Sequence, residues 1–557
     1  MNMPSPESDL LNPIKVFFVS TFSGKHGAAI GESLGVEVLA GHLLGEFGNS
    51  VNVDHVDLQL DPDINKLAEC VEEKSPDILG ISLKIGAVEQ AQELMDAIRA
   101  LSLTNEKQPI VVMGGAVPSF AALPLLKLFP DAIMARGEGE STIEALVEMI
   151  RGIVNLDQVP GITYLDGGGK VVETKKSHLS HRYFPARITT KRIMNELGGV
   201  VWAETSRGCD GYCTFCSVRE IHNGGFSCES FPVESVVDEL QGLSKLGVKI
   251  VSYTDDDFCG DQERALLIAE EIIERKLDIK FTISTRADHV WAEKLPKSAV
   301  DASLEEYNQR LRHIMATLYR AGLTRVFIGL ESGSPSQLRR YGKQISVNGN
   351  YKAIEILREI GIDVAAGFIP IDHVMTLEEL QESLEFLRRT GMYLKVTNPL
   401  SVMRAQEGSP YLSLLRKNGL LGQRTKDLVF YEAGFKDQRV KKVAGIADKW
   451  VNDIYEFIFG LKNEVAITTS DKRSNSSKPE SAQKLLFDFR ELEMEMIEAV
   501  TSTLLRDGEA EFKIEMESFL TSREDLIRKA REFASDGLLD RRNGRLIQAA
   551  DNLLNHK

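Results

Sequence analysis

The sequence predicts an α/β protein in which two parallel β/α units precede a helical region. Two series of short apolar runs alternate with longer helical patterns, as is typical of parallel sheets covered by helices. A chain of 557 residues fits about three domains. We therefore expect a doubly wound sheet at 1–150, a connector with a hairpin at 151–197, a partial barrel at 198–420 and a helical C-terminal domain at 421–557.

The first series contains five strand-like runs, which are KVFFVS, VNVDHVDL, DILGIS, PIVVMGG and DAIMAR. Helical stretches such as VEQAQELMDAIRAL separate them. This alternation predicts a flavodoxin-like, Rossmann-type sheet, in which ligands bind beyond the carboxyl ends of the strands. The loops after Ser20, Ser82, Gly115 and Arg136 are therefore the expected ligand-binding loops.

The second series contains six strand-like runs, which are VVWAET, KIVSYTDDD, DIKFTIST, RVFIGLES, DVAAGFIP and YLKVTNP. A complete TIM barrel has eight strands, so six predict a partial (β/α)6 TIM-type barrel whose site lies at the strand carboxyl ends. Beyond about residue 420, segments such as ADKWVNDIYEFIFGL predict helices.

Composition disfavours several classes of protein. Apolar residues make up 43% of the chain and charged residues 27%, as in a soluble globular protein with a substantial core. The 66 basic and 82 acidic residues give a net charge of −16, which disfavours a nucleic-acid partner. No apolar run approaches the ~18 residues of a spanning helix, and the N-terminal segment lacks the pattern of a signal peptide. We expect a cytoplasmic protein without a membrane partner.

Three of the six cysteines crowd into the segment SRGCDGYCTFCSVRE, directly after the first barrel strand. Cys209, Cys213 and Cys216 form a CxxxCxxC pattern. Structural cysteines are one interpretation, although free cysteines prefer apolar surroundings. A zinc site is another, and it needs a fourth ligand such as His222 or Cys228. An iron–sulfur cubane with three protein ligands leaves one iron open for a substrate or cofactor.

The CxxxCxxC pattern, with Phe215 before its last cysteine, resembles the radical S-adenosylmethionine (radical SAM) superfamily. The resemblance covers about residues 198–420 and implies that the three cysteines bind a 4Fe-4S cluster. It further implies that the fourth iron binds the amino and carboxylate groups of SAM. One electron from the cluster, supplied by an external flavodoxin- or ferredoxin-type donor, would then release a 5′-deoxyadenosyl radical. The protein would contribute orientation and the exclusion of water.

The same resemblance assigns contacts with SAM to residues near the cysteine motif and at the ends of the barrel strands. These candidates are Phe215, Asp256, Ser284, Arg286, Glu331 and Ser332. The DDD run, Asp255 to Asp257, is expected to face the amino group of SAM, and Arg286 suits its carboxylate. The segment GLESGSPSQLRRYGKQ resembles the ribose-contacting segment of the family. The alternatives are a helix N-cap for an aspartate and a surface ion pair for Arg286. The fifth strand departs from the family pattern at IDHVMT, where adenine contacts are expected.

Four loops of the first unit resemble the cobalamin-binding domain of many radical SAM enzymes. They contain, in order, GESLGVEVLAGHL, ISLK, VVMGGAVPS and RGEGE. The resemblance implies that cobalamin contacts Ser82, Gly114, Gly115, Gly137 and Glu138. Glycines let the backbone approach a flat ligand, and a serine hydroxyl can bind a nucleotide tail.

One loop departs from the histidine-donating members of that domain family. The segment STFSGKHGAAIG lacks the DxHxxG pattern that supplies a histidine below cobalt, and Lys25 and His26 lie at other offsets. We therefore expect no axial histidine from this motif. Such an absence is usual in the class B radical SAM methyltransferases that the chain resembles.

These resemblances imply a cobalamin-dependent radical SAM methyltransferase that acts on an unactivated carbon, or on phosphorus, of a small metabolite. The main alternative is a non-methylating radical SAM enzyme that catalyses rearrangement, cyclisation, oxidation or another fragment transfer, with cobalamin passive or absent. A tRNA methylthiotransferase-like enzyme is disfavoured by the net charge of −16 and by the lack of a second cysteine trio. A non-enzymatic zinc regulator is the last alternative.

Overall fold

The computed structural model describes residues 12–22, 30–101, 108–176, 183–222, 228–296, 303–470, 478–506 and 509–535. Its strands are β1 Ile14–Ser20, β2 Val51–Asp57, β3 Ile78–Ser82, β4 Ile110–Gly114, β5 Ile133–Ala135, β6 Ile162–Leu165, β7 Val171–Glu173, β8 Val201–Ala203, β9 Ser206–Arg207, β10 Glu229–Ser230, β11 Ile250–Tyr253, β12 Lys280–Arg286, β13 Leu323–Glu331, β14 Asp363–Phe368, β15 Ala405–Gln406, β16 Leu421–Arg424 and β17 Phe430–Ala433. Its helices are α1 Leu34–Phe47, α2 Ile64–Lys74, α3 Val88–Leu101, α4 Ala116–Leu128, α5 Glu140–Ile150, α6 Thr190–Leu197, α7 Val218–Ile221, α8 Val233–Lys245, α9 Gln262–Glu274, α10 Leu304–Ala321, α11 Pro335–Arg340, α12 Val347–Ile360, α13 Leu377–Thr390, α14 Tyr411–Lys417, α15 Gln438–Ser470, α16 Lys478–Leu505 and α17 Glu509–Ser535.

The first sheet has the strand order β2-β1-β3-β4-β5-β6-β7. Strands β1 to β5 are parallel, and their order is that of a doubly wound, flavodoxin-like sheet, which confirms the predicted fold. Residues Val16 to Ser20 of β1 are all buried, as expected for a strand covered by helices on both faces. The predicted connector hairpin, β6 and β7, pairs with β5 in antiparallel fashion and extends this sheet.

The second sheet is parallel and has the order β8-β11-β12-β13-β14. Along β12, the buried residues Phe281 and Ile283 alternate with the half-buried residues Thr282 and Ser284. The same alternation leaves Phe327 of β13 43% exposed. One face of the sheet therefore packs against helices, whereas the inner face lines an accessible space, as in a barrel that does not close.

The predicted sixth barrel strand, YLKVTNP, contributes one parallel bridge between Ala366 and Val396. A 3-10 turn at Met392–Leu394 precedes this bridge. Pro399 follows it and has no N–H to donate to a neighbouring strand, so pairing cannot continue through that position. The barrel is thus partial, as the sequence predicted.

A small antiparallel sheet corrects the prediction that the helical region begins at residue 421. Strands β16 and β17 form a hairpin, and β15 pairs with β17. Val429 and Phe430 are buried in the same apolar cluster as Leu79 of the first sheet, so the hairpin packs on the first domain. Its strands are only four residues long and pack against distant parts of the chain, so no local periodicity marks them. The helices begin at Gln438.

The long C-terminal helices pack against the barrel. Trp450 and Ile454 of α15 and Phe489 of α16 are buried in the apolar cluster of the barrel. Arg388 of α13 pairs with two glutamates of α16, one of them Glu498 at 2.6 Å. Within the described ranges, no helix has both the length and the apolar character needed to cross a lipid bilayer.

A buried arginine joins the first domain to the barrel. The guanidinium of Arg187 contacts the carboxylate of Glu32, just before α1, and lies 2.6 Å from Oε1 of Glu239 in α8. It also donates a hydrogen bond of 2.8 Å to the carbonyl of Trp202 in β8. These three charged side chains are almost fully buried, so each depends on the others to offset its lost hydration.

We predict that Arg187→Met lowers the free energy of unfolding by about 3–5 kcal/mol, because it removes the buried positive charge that offsets the carboxylates of Glu32 and Glu239. Arg192→Met is the matched control, since Arg192 also contacts two carboxylates but is 47% exposed. The control should cost less than about 1 kcal/mol. Urea denaturation followed by circular dichroism measures both values. Equal losses in the two variants would contradict the role given to Arg187.

Candidate functional site

A cavity of about 320 Å³ lies where the carboxyl edge of the first sheet faces the barrel. We call it the interdomain cavity. Its lining includes every residue that the sequence assigned to cobalamin, namely Ser82, Gly114, Gly115, Gly137 and Glu138. These residues come together because parallel strands of one sheet end at the same edge.

The walls of the interdomain cavity are mostly apolar. The sheet contributes Phe18, Val112 and Ala135, and the facing helices α1 and α5 contribute Leu39 and Leu146. A sheet and two helices therefore enclose a slot that shelters an apolar ligand group from water.

Two glycines keep the slot open at the end of β4. Gly115 has a φ of 103°, a conformation that residues with a Cβ rarely adopt. At Gly114 an added Cβ would meet nothing closer than the Cβ of Ala135, at 3.8 Å. Ser82 is half-buried at the end of β3 and adds a hydroxyl to the same lining.

Charged side chains from both domains surround the barrel side of this cavity. Arg207, which follows the first barrel strand, lies 2.7 Å from Glu140 of the first domain and 2.7 Å from Glu204. Glu138 is 3.5 Å from Arg207 and 3.1 Å from Nδ1 of His222. Sequence reasoning missed these pairs, because the partners belong to different domains and share no local pattern.

The three motif cysteines lie half-buried in the loop between β9 and α7. The backbone N–H of Gly211 points at Sγ of Cys209, with an N to S distance of 3.3 Å. The backbone N–H of Val218 likewise points at Sγ of Cys216, with an N to S distance of 3.5 Å. Cys213 lies between them in the sequence. Donors aimed at sulfur favour the thiolate form that binds metal.

The motif cysteines differ from the cysteines that pack in the core. Cys259 belongs to the buried apolar cluster of the barrel, and Cys70 packs against that of the first sheet. The apolar clusters formed by the described residues include none of the three motif cysteines. Burial and the nearby Asp257 carboxylate raise the pKa of Cys209 to about 12, so this thiol keeps its proton at neutral pH unless a metal displaces it.

The surroundings of the loop favour a cubane over zinc. In the part of the chain that the structure describes, no three His, Cys, Asp or Glu side chains converge closely enough to hold one metal ion. His222, a candidate fourth zinc ligand, pairs instead with Glu138 and Asp256. In a cubane each cysteine binds a different iron, so the three sulfurs need not converge on one point.

Arg286, at the end of β12, forms an ion pair with Asp288, but the pair is largely buried and so is not the surface ion pair given as the alternative. Its Nε and Nη2 donate to the carboxylate of Asp288, at 2.9 and 2.7 Å. Its Nη1 lies 3.8 Å from Sγ of Cys213. The guanidinium is therefore beside the cysteine loop, but two of its nitrogens already donate to the carboxylate of Asp288. Ser284, on the same strand, lies on the accessible inner face of the barrel.

Glu331 ends β13 in a strained backbone conformation. Its φ is 62°, which is unusual for a residue with a side chain, and the pairing of β13 with β14 shifts there. Oε1 lies 3.4 Å from Nζ of Lys343, whose side chain is almost fully buried. Burial raises the pKa of the Glu331 carboxyl although this lysine opposes the shift. Strain and a displaced pKa at one residue are typical of a ligand-binding position. No local sequence signal marks Lys343.

Two further residues assigned to SAM are part of the packing of the protein. Ser332 is fully buried; its hydroxyl contacts Gln337 and lies 3.1 Å from the hydroxyl of Ser383. Phe215 packs edge to face against Tyr341, with ring centroids 5.3 Å apart. The geometry thus gives Ser332 a role between helices α11 and α13 rather than on a cavity surface.

The three aspartates after β11 take different positions. Asp255 is buried and accepts a hydrogen bond of 2.9 Å from the N–H of Thr205. Asp256 lines the interdomain cavity and accepts a hydrogen bond of 3.0 Å from the N–H of Gly208. Asp257 lines a second cavity. The structure therefore groups Asp256 with the cobalamin candidates.

The second cavity, which we call the cluster-side cavity, has a volume of about 830 Å³. Its lining includes Cys209, Cys228, Arg286, His289 and Lys343. Cavities of this size accommodate nucleoside-sized ligands. A cavity large enough for a nucleoside thus adjoins the cysteine loop, on a different side from the interdomain cavity.

The fold and these sites define a class: a parallel α/β sheet with a cavity at its carboxyl edge is joined to a partial barrel that carries a three-cysteine loop. Residues 203–387 match the model of the radical SAM superfamily, and residues 26–147 match that of the B12 binding domain. The chain thus carries a radical SAM domain with a B12-binding domain in front of it.

Curated relatives match the chain in sequence, and solved structures match it in fold. The chain is 30% identical to 4'-phospho-dehydrooxetanocin synthase of Priestia megaterium over 62% of its own length and 47% of the relative. It is 26% identical to hopanoid C-3 methylase of Methylococcus capsulatus over 61% of each chain. It thus spans about half to three fifths of these two relatives. The structure of the cobalamin-dependent SAM radical enzyme OxsB, with aqua-cobalamin and SAM bound, aligns with a TM-score of 0.82 at 22% identity, covering 98% of this chain and 84% of that one, which shows a shared fold.

The two domain families imply a 4Fe-4S cluster, SAM and cobalamin as cofactors, and the residues present fit these groups. The three half-buried thiols suit the cluster, and the strained Glu331 beside the cysteine loop suits SAM. The apolar slot that opens in front of Gly114 suits the nucleotide tail of cobalamin. Lys25 and His26 lie outside the described residues.

We predict that Gly114→Val weakens cobalamin binding about tenfold or more, because its side chain grows into the interdomain cavity. The fold should survive, since an added Cβ meets only ordinary contacts. Gly167→Val, in the turn between β6 and β7, is the control, because a Cβ there meets no atom within 4 Å. Absorbance titration with hydroxocobalamin measures both variants. Wild-type affinity in Gly114→Val would show that cobalamin does not use this slot.

Proposed function

We propose that this protein is a cobalamin-dependent radical SAM methyltransferase that acts on an unactivated carbon, or on phosphorus, of a small metabolite. One observation carries the proposal: the interdomain cavity lined by the cobalamin candidates includes Arg207, which leads into the cysteine motif, and Asp256, which contacts the start of that motif at Gly208. A methyl group held at that cavity would lie close to a substrate in the barrel mouth. The relative named hopanoid C-3 methylase supports the same chemistry.

The residues would divide the work between the two cavities. Cys209, Cys213 and Cys216 would hold the cluster. When bound, the cluster supplies the electron that cleaves SAM, and cobalamin supplies a transferable methyl group. Glu331 would orient SAM with the help of Lys343, which holds its carboxylate in place. The other proposed SAM contacts are Phe215, Asp256, Ser284, Arg286 and Ser332, and the geometry favours Glu331 among them.

A non-methylating radical reaction is the second candidate function. The relative at 30% identity is named a synthase rather than a methylase. Its name therefore supports a reaction other than methylation. In that case cobalamin would be held without donating a methyl group. The mass of the product separates the two candidates, because methylation adds one CH₂ to the substrate.

The partners and location follow from the same chemistry. We propose an external electron donor of the flavodoxin or ferredoxin type, because the three remaining cysteines are too scattered in the sequence for a second cluster. A small molecule is the proposed substrate, without a nucleic-acid or membrane partner. Free cysteines and a reducible cluster suit a reducing compartment, so we propose the cytoplasm.

The proposal predicts that the anaerobically reconstituted full chain binds iron, sulfide and cobalamin and cleaves SAM once reduced. Cys213→Ala should lose iron and SAM cleavage but still bind cobalamin as tightly as the wild type does before reconstitution, because the interdomain cavity does not include this residue. Cys259→Ala, a change in the apolar core, should keep both and serves as the control. Iron analysis, absorbance and chromatography of the products measure these outcomes.

A methyltransferase must also form S-adenosylhomocysteine together with a methylated product. If an accepted substrate is converted without S-adenosylhomocysteine, the methyltransferase proposal is wrong and the second candidate gains support. If the wild-type chain holds no iron after reconstitution, both candidates are wrong.

We predict that Glu331→Ala and Ser332→Ala have opposite profiles. Glu331→Ala should weaken SAM binding about tenfold, because it removes a charge-assisted contact at the proposed cofactor site. Ser332→Ala should leave SAM affinity unchanged but lower the free energy of unfolding by about 1–3 kcal/mol, because it breaks a buried hydrogen-bond network. Equilibrium dialysis with SAM and urea denaturation measure the two effects. A large loss of SAM affinity in Ser332→Ala would reverse this assignment.

A further inference from the structure

His222 lies between a loop of the first domain and a loop of the barrel. Its Nδ1 is 3.1 Å from Oε1 of Glu138, in the loop after β5. Its Nε2 is 3.4 Å from Oδ2 of Asp256, in the loop after β11. All three side chains line the interdomain cavity. One imidazole thus bridges the two domains with both of its nitrogens.

Both carboxylates of this bridge belong to loops that lead to cofactor sites. Glu138 follows Gly137, whose φ of 80° marks the turn predicted to contact cobalamin. Asp256 accepts a hydrogen bond of 3.0 Å from the N–H of Gly208, the residue before Cys209. The bridge therefore connects the cobalamin loop to the start of the cysteine motif.

The chain itself supplies a second connection. His222 directly follows the short helix α7, and the N–H of Val218 at the start of that helix lies 3.5 Å from Sγ of Cys216. A displacement of Cys216 would thus be passed to His222 through a single helical turn. Both ends of the cysteine motif are therefore connected to the imidazole, one through Asp256 and the other through α7.

Charge strengthens the bridge. Burial alone would lower the pKa of His222, but hydrogen bonds to Asp256 and Glu138 outweigh it and raise the pKa to about 9. The imidazolium therefore has N–H groups on both sides for the two carboxylates, and such charge-assisted hydrogen bonds are stronger than neutral ones. Moving either carboxylate away would leave a partly buried charge without its partner.

We propose that His222 is a positioning residue that couples cobalamin binding to cluster binding, because each cofactor orders one side of the bridge. The inference goes beyond the proposed function and rests on it only for the identity of the two cofactors. Coupling of this kind is reciprocal: the cluster raises the affinity for cobalamin by the same factor as cobalamin raises the affinity for the cluster. We expect a factor of about ten, which lies in the usual range.

The test titrates the full chain with aquacobalamin before and after anaerobic reconstitution of the cluster. In the wild type, the Kd for aquacobalamin should be about tenfold lower with the cluster than without it. His222→Gln keeps a hydrogen-bonding side chain but loses the charge and one of the two contacts, so the ratio of the two Kd values should fall close to one. A merely structural role would weaken binding in both states and leave this ratio unchanged.

His42→Gln is the matched control, because His42 pairs with Glu144 at 2.9 Å within the first domain and does not line the interdomain cavity. Its Kd ratio should equal that of the wild type. Glu138→Gln tests the same bridge from the other side if His222→Gln folds poorly, and its ratio should also fall. The paramagnetic resonance spectrum of bound cob(II)alamin gives a second readout, which should change on reconstitution in the wild type but not in His222→Gln.

The outcomes separate this inference from the proposed function. A wild-type chain that binds no iron or no cobalamin overturns the proposed function. A wild-type chain that binds both with a Kd ratio near one overturns the coupling. A tenfold ratio that persists in both His222→Gln and Glu138→Gln overturns the role of His222.

Discussion

The buried contacts of Arg187 are the constraint on which the rest of the structure depends, because they connect the first domain to the barrel. Glu32 and Glu37 both extend from the start of the first domain's α1 region into the connector around Arg187 and Thr189. Apolar contacts alone are not directional and would allow small shifts of one domain against the other. A buried charge that loses its partner, by contrast, is strongly destabilising. Charge pairing at this junction therefore favours one arrangement of the domains over nearby alternatives. The interdomain cavity exists only in that arrangement, since its lining comes from both sides.

Most of the fold could be predicted from the sequence, because each strand and each helix of a parallel sheet has its own local pattern of apolar residues. Each β-rich run of the first domain lies in a strand of the predicted sheet, and each was followed by a helical pattern. The exceptions are elements that depend on distant partners. The hairpin that contains Phe430 is stabilised by burial against the first domain, and the predicted sixth barrel strand stops before Pro399, so neither outcome followed from local periodicity.

Residues of the candidate site could be predicted where the end of a strand fixes their position. The hydrogen-bond partners of individual side chains could not be predicted. Gly114 and Gly115 line the expected cavity because the end of a parallel strand has a known place in the fold. Arg286, by contrast, forms an ion pair with Asp288, two residues further along the chain. Ser332 is buried between neighbouring helices. Local sequence shows that such residues lie near a strand end, but it does not show which neighbour satisfies their hydrogen bonds. Likewise, local sequence does not show that Lys343 contacts the carboxylate of Glu331, twelve residues earlier in the chain.

Electrostatics distinguishes the two cavities and suits each to a different cofactor. Carboxylates outnumber cations around the barrel side of the interdomain cavity, where the charged residues are Glu138, Glu140, Glu204, Asp256, Arg207 and His222. Oxygen acceptors in excess match a ligand whose periphery carries amide donors, as that of cobalamin does. Near the cysteine loop, Lys343 and Arg286 both favour the thiolate form of Cys213 against the effect of burial. A cluster with three thiolate ligands becomes more negative on reduction, so cations beside it favour its uptake of an electron from the donor. The excess of carboxylates thus belongs to the interdomain cavity, whereas acidic and basic residues balance in the lining of the cluster-side cavity. The effect of the two cations is therefore local to the cysteine loop.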